Sequence, residues 1–221
     1  MASPRLPGNF VFLLIIFIFL AVMVQVGLVR VAFERLGLSQ ASAVLLIFSS
    51  LAGSAINLPL FRITSEPPRP GALPPMGRFW FFRHLEYHGK TLVALNVGGC
   101  LIPASFSLYL LRHSSLAPGD ALLGVGMVAI LARLFSRPIP GLGIGMPLFI
   151  APIGAAIAAL LINPEQSAPL AYISGTLGVL IGADLLRFKD IRRLGVPLAA
   201  IGGAGTFDGI FISGIVAVLL T

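Results

Sequence analysis

The chain has 221 residues, 57% hydrophobic and 10% charged, with a mean hydropathy of +0.99. A soluble domain carries about 25% charge, so a soluble fold is excluded. The net charge of +7 sits in loops between apolar runs, which fits membrane topology and anionic lipid headgroups and excludes a nucleic-acid partner.

The first apolar run covers residues 10–29 and is interrupted only by Gln25. A secretory signal has an apolar core of about 7–15 residues and a small-residue cleavage site; neither is evident, so the run reads as an uncleaved first transmembrane helix. The second run, about 40–61, ends in SAINLPLF, where Asn57 and Pro59 disturb a helix near one membrane face. Residues 62–90 bring five prolines (Pro67, Pro68, Pro70, Pro74, Pro75) and then RFWFFRHLEYHGK. This reads as a proline-rich loop followed by a surface-lying segment at 78–89, to which Trp80, Tyr87 and Lys90 are suited, with Phe79, Trp80, Phe81 and Phe82 at headgroup level and Arg78 and Arg83 toward water. His84 and His88 lie four apart, but H-L-E-Y-H matches neither zinc-protease order and the remaining histidine is His113. No metal and no cofactor is expected.

The third run, 91–111, contains NVGGCLIP, with Asn96 polar and Pro103 breaking; its Cys100 is the one cysteine, which excludes an intrachain disulfide and, inside an apolar run, reads as inert packing. A fourth run covers 119–135. The glycines of RPIPGLGIG (137–145) lack the Lys-Ser/Thr of a phosphate cradle and read as a flexible turn or a close helix entry. The fifth run is 146–162, and the sixth and seventh lie in 168–221 on either side of a basic connector. The expected fold is therefore all-α: one polytopic domain over 1–221, a bundle of about seven transmembrane helices in the cell membrane. With seven spans, 12 of the 15 basic residues share the side of the N-terminus, which predicts a cytoplasmic N-terminus and an outer C-terminus.

Six of the eight acidic residues fall in predicted loops; Asp184 (IGADLL) and Asp208 (GTFDGIF) alone lie inside apolar runs. An ionised Asp at the bilayer centre costs roughly 2.5–3.5 kcal/mol on insertion scales, so both are functional candidates. Asp184 precedes Arg187 by three residues, which sets it about 5 Å inside the cytoplasmic boundary; Asp208 falls about 10 Å inside it on the next, antiparallel helix. Two carboxylates at one level share a proton and titrate as a pair, one as base toward water and the other as acid. Gly202, Gly203, Gly205 and Gly209 around Asp208 loosen the helix entry and let a backbone or substrate strand approach.

IGGAGTFDGIFISG resembles the GxGD segment of the diaspartyl intramembrane proteases, which include presenilin, signal peptide peptidase and the prepilin peptidases. Here Thr206 and Phe207 separate Gly205 from the Asp. The resemblance implies Asp184 and Asp208 as catalytic residues, transmembrane peptides as substrates, and membrane lipids as surroundings. Pro147 and Leu148 resemble the Pro-Ala-Leu element of presenilin-like enzymes, though earlier in the chain. Across its length the chain also resembles uncharacterised prokaryotic multi-pass proteins carrying NVGG, GADLL and GGAGTFDG segments, a likeness that implies no activity. Three readings stand at this point. The first is the protease. The second is a proton- or sodium-coupled transporter or channel, using the same carboxylates and helices broken at Asn57/Pro59 and Asn96/Pro103. In the third, Asp184 pairs locally with Arg187 or Arg192 and Asp208 caps a helix.

Overall fold

The computed structural model describes residue 16 and residues 28–67, 88–141, 143–203 and 209–221. In chain order the regular elements are α1 (Leu28–Arg35), α2 (Gln40–Ser54), β1 (Asn57–Thr64), β2 (Lys90–Asn96), α3 (Ile102–His113) and α4 (Pro118–Phe135). There follow β3 (Arg137–Ile139), β4 (Gly143–Gly145), α5 (Ile150–Ile162), α6 (Ser167–Val179), β5 (Leu198–Ile201) and α7 (Gly209–Leu219). A wide π turn joins β2 to α3 over Val97–Leu101, and a second extends α6 over Leu180–Leu185.

The expected all-α bundle of seven transmembrane helices is not what the chain forms. Among the described residues, two helices are long and apolar enough to cross a membrane: Pro118–Phe135, and the continuous stretch Pro164–Leu185 built on α6. Three of the apolar runs are split between strand and helix. The second gives α2 and then β1; the third gives β2, a π turn and α3; the seventh gives β5 and, from Gly209, α7. Their hydrophobicity is real, but an apolar run of that length does not by itself distinguish helix from strand.

The breakers explain the splits. Pro59 lacks an N–H and sits on β1, beside the register irregularity between Pro59 and Phe61, where the lost ladder bond is tolerated. Asn96 closes β2 and is fully buried. Its amide donates to Ser54 O (2.8 Å) and Asn57 Oδ1 (3.0 Å), while its Oδ1 accepts from Gly99 N–H (2.7 Å). One side chain thus ties the end of α2, the start of β1 and the first turn after β2 together. The predicted interfacial segment at 78–89, except for residues 88 and 89, lies outside the described residues, as does most of the first apolar run.

The three-stranded sheet has the order β1-β2-β5, with β1 antiparallel to β2 and β5 parallel to it. The predicted glycine turn at 137–145 is instead a small hairpin of β3 and β4. Gly141 N–H bonds Leu194 O (2.9 Å) and Glu66 N–H bonds Arg192 O (2.7 Å), so hairpin, sheet and the 3-10 turn Phe188–Arg193 occupy one end of the helices. At the opposite end the α1–α2, α3–α4 and α5–α6 connections surround a cleft bordered by Arg35, His113, Ser167 and Thr221.

The helical body is sorted by size. α5 buries Ala151, Ala155, Ala158 and Ala159 and exposes Ile153, Ile157 and Leu161. α4 buries Ala121, Gly124 and Ala129 and exposes Leu122 (75%) and Ile130 (62%). α6 is the axis, buried almost throughout and packed by α3, α4, α5 and α7.

Candidate functional site

Asp184 stands in the π turn that continues α6, where the helix widens by one residue per turn. Such turns occur mostly as single insertions and often at functional sites. The widening coincides with close contact: Gly182 lies against the carbonyl of Ala129 on α4, and a methyl at Gly178 would come within 2.6 Å of Val128 Cβ. Asp184 follows half-buried, and its Oδ2 accepts a 2.7 Å hydrogen bond from Gly202 N–H, at the end of β5. Gly202 has φ +83°, and a Cβ there would lie 2.6 Å from Cys100 Cβ. Glycine is needed at this position for both reasons, the left-handed backbone and the lack of space. β5, the π turn before α3 and the π turn after α6 therefore converge on the Asp184 carboxylate.

Arg187, three residues on, is one of the two local partners, with Arg192, that the third sequence reading offered Asp184, and its guanidinium is engaged elsewhere. Its guanidinium bridges Ser136 Oγ (2.7 Å), Arg133 O (2.9 Å) and Asp190 Oδ2 (3.1 Å). It closes the C-terminal end of α4, where carbonyls lack helical partners.

A cavity of about 370 Å³ opens beside Asp184. Asp184, Gly203, Pro147, Leu148 and the buried Ser213 border it, with β4 on one side and β5 on the other. Residues singled out in three separate stretches of sequence thus share one wall system. Asp208 and Gly205 lie outside the described residues. Gly209 begins α7, whose Ile210 and Ser213 face the cavity.

Sequence reasoning missed two contributors. Gly202 was counted among glycines that loosen a helix entry, whereas it supplies the N–H to Asp184. Ser213 was not singled out, although a hydroxyl inside IFISGIV is a visible departure from an apolar run. The strands bordering the cavity were read as helix or turn, and nothing local to LAAI or GIG announces their pairing. Among the described residues, no group of three or more His, Cys, Asp or Glu side chains is placed to hold a metal ion.

A family model described as "Protein of unknown function (DUF1614)" matches residues 51–220. No curated protein and no solved structure matches the chain.

Proposed function

From the premise that the chain belongs to the DUF1614 family, whose description carries no activity, we propose that this protein is an intramembrane aspartyl protease with Asp184 and Asp208 as its dyad. The observation that carries the reading is the shared cavity: Asp184, Gly203, Pro147 and Leu148 border one space of peptide-side-chain size. Among the described residues β5 ends its sheet and β4 ends its hairpin, and both border that space. A peptide held extended against a strand edge exposes its backbone carbonyls to groups beside it.

In the proposed mechanism one aspartate, ionised, takes a proton from water as the water attacks the scissile carbonyl. The other, protonated, donates to the carbonyl oxygen and then to the departing amine. The Gly202 N–H bond to Oδ2 fixes the rotation of the Asp184 carboxyl. Asp208 is the residue next to the first turn of α7, whose following residues border the same cavity.

The membrane setting follows from the size sorting of the helices. Lipid tails give no reason to bury large apolar side chains, and on α4 and α5 Ala and Gly pack inside while Leu and Ile face out. We place the protein in the cell membrane, crossing it more than once. The sheet end carries exposed Arg62, Lys90, Arg133, Arg137, Lys189, Arg192 and Arg193, against Arg35 and Arg112 at the other end. By the positive-inside bias the sheet end faces the cytoplasm.

The test is cleavage of quenched-fluorescent transmembrane peptides by the full chain in liposomes. Asp184→Asn and Asp208→Asn should each abolish cleavage while eluting as the parent does. Cleavage surviving either substitution overturns the reading, as does a parent that cleaves no member of a diverse peptide set.

A further inference from the structure

The end of α4 is fastened to the chain that leaves the π turn after α6. Gly182 packs on Ala129, which brings the two segments together. One guanidinium then ties them: Arg187 donates to Ser136 Oγ (2.7 Å) and to Arg133 O (2.9 Å). Ala132 O is taken by Ser136 N–H (2.8 Å). Two carbonyls at the end of α4 are thus satisfied, and the helix end presents less negative charge there.

Two kinds of exposed side chain belong to this joint. Arg133 lies in the last turn of α4, Arg137 opens β3 just beyond it, and Lys189 follows Arg187 by two residues; all three are exposed. The same segments expose Leu134 (69%), Phe135, Leu185 and Leu186 (55%). Acidic side chains are scarce in both. Residues 121–164 include none, and residues 185–207 include only Asp190, which is ion-paired with Arg187 at 3.1 Å. Asp184 itself holds the Gly202 N–H. Among the described residues Arg133, Arg137 and Lys189 make no ion pair.

We propose that this joint binds an anionic phospholipid, with its phosphate on Arg133, Arg137 and Lys189 and its acyl chains along Leu134, Phe135, Leu185 and Leu186. The inference rests on the membrane placement proposed above and not on peptide cleavage. Basic sites between membrane helices on the cytoplasmic side suit such headgroups, and the planar fork of arginine matches phosphate oxygens in pairs. A free phosphate would use the cations alone, and a lipid without net charge would use the apolar side chains alone. An anionic phospholipid uses both.

The experiment is thermal unfolding of the full chain in neutral detergent with added phosphatidylglycerol, phosphatidylcholine of the same acyl chains, or inorganic phosphate. A ligand bound by the folded state raises the unfolding midpoint. Phosphatidylglycerol should raise it by several degrees, and the other two should leave it near the value in detergent alone. Arg133→Gln/Arg137→Gln/Lys189→Gln should lose that shift. The Arg133 backbone, not its side chain, meets Arg187, so the joint survives the substitution. Arg35→Gln/Arg62→Gln/Lys90→Gln removes the same charge elsewhere and should keep the shift. If the joint variant does not elute as the parent does, Lys189→Gln is read by the same criterion. An equal shift from phosphatidylcholine or from phosphate, a full shift in the joint variant, or an equal loss in the second variant overturns the proposal. No cleavage enters this measurement, so its failure is distinct from failure of the protease reading, which the peptide assay decides.

Discussion

At Gly202 two demands meet on one residue: a left-handed backbone, φ +83°, and a Cα pressed on Cys100. Gly37 separates them, because it has φ +75° and nothing within 4 Å of an added Cβ. Gly37→Ala should therefore cost only the left-handed conformation, about 1–2 kcal/mol. Gly202→Ala adds a clash with Gly99 and Cys100 backbone atoms and should cost clearly more, with displacement of the N–H that holds Asp184. Thermal unfolding of both variants in detergent checks the difference; equal losses would show that the close packing at Gly202 contributes nothing. Asp184 was legible in the sequence because a carboxylate inside an apolar run is conspicuous. Its hydrogen-bond partner was not, because the donor is a backbone amide 18 residues away and every residue type but proline carries one.

Between elements, α4 approaches α6 and its π turn closely. Gly178 and Gly182, four apart, place backbone against Val128 and Ala129, a small-residue contact typical of helices that gain little by burying large side chains in lipid. Gly182→Leu should separate the two helices and move the Asp184 turn, with loss of folded protein. Gly126→Leu on α4, where an added Cβ meets nothing within 4 Å, should be tolerated. Size-exclusion elution and thermal unfolding compare them; a stable Gly182→Leu chain would mean the helices are not held at that point. The glycine spacing was visible in GVLIG, but a spacing does not name the helix that meets it.

For the whole molecule, the uneven charge of the two ends makes a topological prediction. In a Cys100→Ala background, Lys189→Cys and Glu165→Cys should react with a membrane-impermeant thiol reagent from opposite sides, Lys189 from the cytoplasm. Labelling of both from one side would remove the membrane-crossing assignment of Pro164–Leu185, since the two positions mark its opposite ends. Exposed Leu122, Ile157 and Leu161 are the complement of that prediction: the surface between the two ends is apolar.

What the sequence determined alone is what depends on residue type and local spacing. The fourth and fifth apolar runs were expected as helices, and Pro118–Phe135 and Ile150–Ile162 form. Cys100, expected as inert packing, is buried. Tertiary structure decided the runs whose hydrophobicity suits either helix or strand. KTLVALN is a strand because β1 and β5 satisfy its backbone on both sides, and β5 reaches it from more than a hundred residues away. Strand pairing joins partners distant in the chain, whereas a helix satisfies its own backbone, so the helical body was readable in order and the sheet, the cavity edges and the Gly202 bond to Asp184 were not.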